Sequence, residues 1–166
     1  IMELRATAAD RMLPTPETVC HWHARLYAAC EAPVSGYVGH FRGDRSVQEL
    51  IDYEVGLGPR LEDGNLEKMG VWARRVGDEM AAVVAGLNAV FADLDSRLPV
   101  GKSPNTADEI LHVISFAALT HGELLRVHPF ANGNGRIARL FVAFICLRYG
   151  VPMFLHIKPR PESDDY

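Results

Sequence analysis

Residues 128–139 read HPFANGNGRIAR, and their types and spacing bring a base, a nest of backbone N–H groups and two cations together. Pro129 disfavours the αR region at His128 and removes a backbone donor, so the spacing predicts His128 outside the preceding helix, in an extended conformation. Gly133 and Gly135 permit positive φ, and Asn134 between them tolerates the left-handed region better than most residues. Such a turn aims consecutive N–H groups inward and makes an anion-binding concavity. Arg136 to Tyr149 contains no Gly or Pro and is rich in strong helix formers. Its first turn therefore presents unpaired N–H groups and the positive end of the helix dipole, a geometry that binds phosphate. Arg136 and Arg139 project from neighbouring positions on one face, and their guanidinium forks match phosphate oxygens better than lysine would. This is a layout for gripping phosphates while a proton is removed nearby.

The elements that must position these residues are mostly helices. The segment Ile137–Leu147 is apolar on nearly every face, which predicts a buried central helix. Arginines at the start of a buried helix are costly unless they face a cleft or a partner charge. A plainer alternative stays open, in which Asn132 or Asn134 caps the helix and the arginines sit in structural salt bridges. Upstream, Thr106-Ala107-Asp108-Glu109 has capping-box spacing and opens a helix to about Val127 that leads directly into His128. Thr15-Pro16-Glu17 is a second helix start, running to about Ala29 and stopping before Pro33. An apolar stripe from Val71 through Met80, Leu87 and Leu94 predicts a long helix over roughly Leu66–Leu98, weakened by Gly70, Gly77 and Gly86 and closed by Pro99. Leu50–Gly64 is ambiguous. Asp52–Val55 followed by Gly56-Leu57-Gly58-Pro59 reads as a strand and turn, a helical Val47–Tyr53 competes with it, and the acids there read as solvated surface. Lys158–Pro161 reads as an extended tail.

Composition bounds the function without naming it. The chain has 166 residues, 48% of them apolar, and a formal net charge of −4. That suits one domain with a substantial core and argues against non-specific nucleic-acid binding. Cys20, Cys30 and Cys146 lack metal-ligand spacing, and Cys146 reads as a reduced core thiol. The longest apolar run, Leu140–Leu147, is too short to cross a bilayer, and no secretory leader is visible. No membrane partner is expected, and the default localisation is cytoplasmic. The remaining histidines, His21, His23, His40, His112, His121 and His156, form no metal-ligand pattern.

The segment 128–139 resembles the signature of Fic-domain proteins, HPFx(D/E)GNGRxxR. His128, Pro129, Phe130, Gly133, Asn134, Gly135, Arg136 and Arg139 match it, and only the acidic position departs, being Asn132 here. A second likeness lies upstream. His23-Ala24-Arg25-Leu26-Tyr27 followed by Gly39-His40-Phe41-Arg42 resembles the HxxLF and Gx(F/Y)R stretches that open many Fic domains. Together they span about residues 16–160, implying a single Fic domain over 1–166 with terminal extensions at 1–13 and 161–166. The implied fold is mainly α: a helical Fic (Fido) domain with a central buried helix after the motif loop and a small β-hairpin flap, placed here in Leu50–Gly64.

The resemblance implies AMP transfer from ATP to a Tyr, Ser or Thr hydroxyl of a target protein. His128 would be the general base, a task that suits a group titrating near neutrality. Gly133, Asn134 and Gly135 would cradle the phosphates, with a polar contact from the Asn134 side chain. Arg136 and Arg139 would neutralise the triphosphate and the pyrophosphate leaving group, with Arg139 as the γ-phosphate partner. Phe130 would anchor the loop. The family's acidic residue binds the Mg²⁺ that bridges the phosphates, and Asn132 offers a neutral, weaker oxygen in its place. The flap would hold the target's side chain by backbone pairing. Many relatives are inhibited through (S/T)xxxE(G/N), whose Glu pairs with the second motif arginine. No such segment occurs in this chain, so inhibition would come from a small separate antitoxin masking Arg139 or from sequence outside it. Such proteins act as toxins or effectors, some after export into host cells. Doc-type kinases carry Lys at the position of Gly135 and phosphocholine-transferring members carry Ala at that of Gly133, so both glycines favour transfer of a nucleoside monophosphate. The competing class is a nucleotide-binding or interaction domain that is catalytically weak through Asn132.

Overall fold

The core is built around the apolar helix that follows the glycine turn. A computed structural model describes residues 2–28, 34–60 and 66–152. In chain order its elements are α1 (Met2–Ala9), α2 (Pro16–Tyr27), β1 (Val55–Arg60), β2 (Leu66–Met69), α3 (Val76–Arg97), α4 (Ala107–Val127) and α5 (Asn134–Tyr149), with short 3₁₀ turns at Ser35–Tyr37, Gln48–Leu50 and Ala73–Arg75. Ile137, Ala138, Phe141, Phe144 and Ile145 of α5 are fully buried, and this helix packs against α4, α1 and α2. Trp22 of α2 sits edge-on to Phe141, and Phe91 of α3 meets Phe144 at 5.7 Å between ring centroids.

Local chemistry sets the ends of these helices. The Thr15 side chain accepts from the Thr18 backbone, Thr18 returns the bond, and Pro16 fills the first turn. Thr106 and Glu109 form the same reciprocal box at the start of α4, each cap stabilising its helix by about 1 kcal/mol. The helix α2 ends at Tyr27 with Ala28 as its C-cap, its N–H bonded to the Arg25 carbonyl, and Ala29, where the predicted helix ended, lies outside the described residues. Gly150, at φ 68°, closes α5. Its end is tied down by Arg148, whose side chain is almost wholly buried and contacts Asp95 of α3 at 2.5 Å. Arg11 and Tyr149 donate to the same carboxylate.

Two expectations about the elements require correction. The helix expected over Leu66–Leu98 begins only at Val76. Residues 66–69 are instead a strand, paired antiparallel with β1 in the register Val55↔Met69 and Gly56↔Lys68. Helical spacing was present there, but Gly70 has φ 80°, which ends any helix. A Cβ at Gly70 would lie 2.5 Å from the His128 Cβ, so this turn is shaped by its contact with the motif. The expected turn at Gly56–Pro59 lies within β1, and the strand expected from Asp52 starts at Val55. The terminal extension 1–13 contains α1, whose Leu4 and Ala8 join the core. The tail at Lys158–Pro161, the extension 161–166 and Cys30 lie outside the described residues.

By length and composition alone α4 could cross a membrane, with a mean hydropathy of 1.3 over its most apolar window. Val113, Phe116, Ala117, Thr120, Leu124 and Val127 face the interior. Near its end Arg126 bonds Glu79 of α3 at 3.1 Å.

Candidate active site

His128 sits at the junction of α4 and the glycine turn. It lies outside the helix as expected, but its backbone is left-handed (φ 53°, ψ 60°), not extended. The ring residue before proline avoids αR, and histidine enters αL more readily than most side chains. The chain completes the helix through the His128 N–H, which donates to the Leu124 carbonyl at 3.0 Å. The ring is half-buried. Nδ1 is enclosed and makes no hydrogen bond of ordinary geometry. Burial lowers the imidazole pKa below its usual 6.5, the Leu125 carbonyl opposes this weakly, and the Arg42 charge adds to the lowering. Both lowering effects favour the neutral ring, and with Nδ1 enclosed, Nε2 is the nitrogen left to meet a ligand.

The loop that follows is braced from within. Asn134 is buried, and its side chain both accepts from the Phe130 N–H and donates to the Phe130 carbonyl, each at 2.8 Å. This corrects the expected polar contact from the Asn134 side chain to a ligand, since the loop itself uses that amide. Neither Asn132 nor Asn134 caps α5, whose cap is Gly133 with no side-chain bond. Phe130 is fully buried and stacks on the His23 ring at 3.8 Å. His23 accepts from the Gly39 N–H at Nδ1, so the proton lies on Nε2, which donates to the Asn132 carbonyl at 3.0 Å. Burial lowers the His23 pKa, consistent with a neutral strut between α2 and the loop.

A single cleft of about 650 Å³ is lined by Tyr53, Glu54, Val55, His128, the loop from Ala131 to Arg136, and Arg139. That volume falls in the range of small-molecule sites. Asn134 and Gly135 at the start of α5 are part of the lining, ahead of the first intrahelical bonds, whereas the N–H groups of Arg136 and Ile137 already reach the Gly133 carbonyl. Arg136 donates to the Tyr27 hydroxyl at 3.0 Å and its guanidinium lies 5.4 Å from the centre of that ring. Arg139 is exposed and folds back over the turn, close enough for a Cβ on Gly135 to lie 3.3 Å from its Nη1. Among the described residues neither arginine pairs with a carboxylate, as the salt-bridge alternative would have them do. Glu54 is the one carboxylate in the lining, and its oxygens already accept from Ala73 N and Arg42. It is thus not the solvated acid that the sequence suggested. The cleft is cationic.

The same surroundings test for a metal. Asn132 is exposed, and its Oδ1 accepts from the Gly133 N–H at 2.7 Å. Among the described residues no group of three His, Cys, Asp or Glu side chains could hold an ion. One neutral oxygen, already engaged, is not a resident Mg²⁺ site, because such sites use one or two carboxylates.

Gly133 shows how tightly the turn is fitted. Its φ is 84°, and a Cβ there would lie 2.8 Å from the Tyr27 hydroxyl and 3.2 Å from His23 Nε2. Gly133→Ala is expected to destabilise the fold by about 1–3 kcal/mol from backbone strain alone. It should also displace Tyr27 from Arg136. A thermal melt unchanged from wild type would refute the fit described here.

Sequence reasoning assigned no role to Arg42, Glu54 or Gly70, and none to Tyr27 or His23 beyond their likeness to the family. The stretches carrying Tyr27 and Arg42 were visible, but nothing local showed that they reach the motif loop.

Comparison with known proteins identifies the family. The pattern of the Fic/DOC family matches residues 13–146, and the chain belongs to that family. It is 57% identical over 59 residues to the Nematostella vectensis protein named protein adenylyltransferase Fic, covering 35% of this chain and 14% of that one. Proteins of the same name from Drosophila melanogaster and Drosophila mojavensis are 45% and 39% identical over 56 residues, covering 34% of this chain and 11% of theirs. The chain thus spans no more than about a seventh of the length of these relatives.

Proposed function

We propose that this domain transfers AMP from ATP to a hydroxyl side chain of a target protein. The observation that carries the reading is the convergence of the neutral His128 ring, the open end of α5, Arg136 and Arg139 on one cleft. His128 Nε2 takes the proton of the attacking hydroxyl, with the ring's own hydrogen on the enclosed Nδ1. The hydroxyl oxygen bonds to the α-phosphorus, the bond from that phosphorus to the bridging oxygen breaks, and pyrophosphate leaves with the electron pair. The first N–H groups of α5 and the two guanidiniums hold the phosphate oxygens as charge shifts onto the leaving group. In this reading Asn134 and Gly135 contribute backbone N–H groups, Gly133 forms the turn with its own N–H held by Asn132 Oδ1, Phe130 fixes the loop, and the hairpin β1–β2 aligns the target chain by backbone pairing. The glycines at 133 and 135 favour a nucleoside monophosphate as the group moved.

Incubation with ATP labelled at the α- or the γ-phosphate tests the reaction. Protein labelling from the α position alone, dependent on His128, supports it. Labelling from neither position sinks it in favour of the second reading, a domain that binds nucleotide but transfers poorly. The engagement of Asn132 Oδ1 with Gly133 N is what favours that second reading.

Magnesium enters this scheme on the ATP phosphates, as part of the substrate. Asn132→Asp adds a charged ligand and is expected to lower the Mg²⁺ concentration for half-maximal rate about tenfold. A Mg²⁺ titration unchanged in both rate and midpoint would remove Asn132 from the metal's surroundings. Arg139 has no protein partner among the described residues, so a small antitoxin presenting a glutamate would mask the site there.

A further inference from the structure

We propose that Arg42 is a positioning residue for His128, its guanidinium clamping the turn that carries the imidazole to the root of the β hairpin. The inference rests on reading His128 as the proton acceptor. Arg42 has 0% side-chain exposure, an environment that a cation tolerates only when its donors are satisfied. Nε donates to the His128 carbonyl at 2.7 Å. One terminal nitrogen donates to the Tyr53 carbonyl at 3.2 Å and to Glu54 Oε2 at 3.3 Å. The other donates to the carbonyls of Val71 at 2.9 Å and Val127 at 3.2 Å. Every guanidinium hydrogen thus has an acceptor, and the Arg42 backbone N–H adds a bond to the Pro129 carbonyl at 2.8 Å.

The acceptors fall into two groups. Val127, His128 and Pro129 are consecutive, and they bracket the left-handed residue. Their hold by one residue, through its side chain at Val127 and His128 and its backbone N–H at Pro129, keeps a non-glycine residue in a backbone region that it would otherwise leave. Tyr53 and Glu54 precede β1, while Val71 follows β2. The same side chain therefore sets both the direction of the imidazole and the position of the strands beside the cleft. Gly70 completes the joint, since a Cβ there would lie 3.0 Å from Arg42 Nη2 as well as against the His128 side chain. Lysine cannot replace this clamp, because three donors on one atom do not span acceptors from both segments. The phosphate loop is braced separately, by Asn134 and His23.

Arg42→Lys and Glu54→Gln test the idea in the full chain. Glu54→Gln is the gentler change, because it keeps the side chain's size and one acceptor oxygen but replaces the other with a donor, where Ala73 N and Arg42 now bond one oxygen each. The readouts are self-labelling by α-labelled ATP, ATP affinity by calorimetry, thermal stability, and an NMR titration of the His128 ring. Groups facing that ring are Arg42 behind it and Tyr53, Glu54, Arg136 and Arg139 around the cleft. Both variants are expected to keep ATP affinity within about threefold while labelling slows by about 100-fold, the effect of a misplaced reacting group. The His128 titration should move toward the value of a free imidazole as the turn loosens. A folded variant with wild-type labelling and an unmoved titration would overturn the proposal. So would a loss fully explained by unfolded protein. If the wild type labels nothing, the base assignment of His128 fails, and the titration and ATP affinity of the variants still decide whether Arg42 positions the ring.

Discussion

Replacing His128 with alanine is expected to slow transfer of the α-phosphate label by about 1000-fold, within the range that a general base contributes. ATP affinity should stay close to that of the wild type. The loop that meets the phosphates is held by Asn134 and His23, and neither touches the imidazole. The pH dependence carries the same signature. Burial and the Arg42 charge lower the His128 pKa, so the free enzyme keeps its base at neutral pH and loses it only in acid. The profile of kcat/KM should therefore rise with pH through a midpoint below 6.5 and then level off, with the rising limb absent in the His128→Ala variant. Bound triphosphate brings negative charge to the cleft and favours the imidazolium, so the limb in kcat should lie at higher pH than the limb in kcat/KM. A midpoint above 6.5 in kcat/KM, or a His128→Ala enzyme within tenfold of wild type, would exclude this ring as the base.

How far the chain could be read from its residues follows from the range of the forces involved. Capping boxes act within one turn, and Thr106 with Glu109 marked the start of α4 correctly. Likewise, apolar residues on nearly every face identified α5 as the buried helix. The hairpin was harder. Residues 66–69 satisfy helical spacing locally, and only pairing with β1 and the fit of Gly70 against His128 make them a strand and turn. The glycine turn was legible as an anion site because its chemistry is contiguous, whereas the Asn134 side chain was misassigned because Phe130, its partner, is claimed by a bond within the loop. The Arg42 clamp was invisible for a different reason. All but one of its acceptors are backbone carbonyls, which every residue has, and the nearest to the base lies 86 positions along the chain. Composition and periodicity carry no trace of such a bond.

Arg139→Ala is expected to lower kcat/KM for ATP by about 100- to 1000-fold, the magnitude seen when one preorganised donor to developing negative charge is lost. The two arginines of the cleft differ in how they are held. Arg136 is tied to the Tyr27 hydroxyl and lies against its ring, so it is already oriented and contributes a fixed positive charge. Arg139 has no such tether among the described residues, and it lies over the first turn of α5 beside Gly135. A guanidinium free to move there can follow the outer phosphates as the leaving group gains charge, which makes its effect larger in the transition state than in the bound ground state. Its removal should therefore lower kcat more than it weakens ATP binding, whereas Arg136→Ala should act mainly on KM. Arg139→Lys restores the charge without the fork, so it should recover only part of the loss. Equal losses in kcat for the two alanine variants would show that the tether to Tyr27 does not divide their roles. Unchanged ATP binding and turnover in both would remove the triphosphate from this cleft altogether.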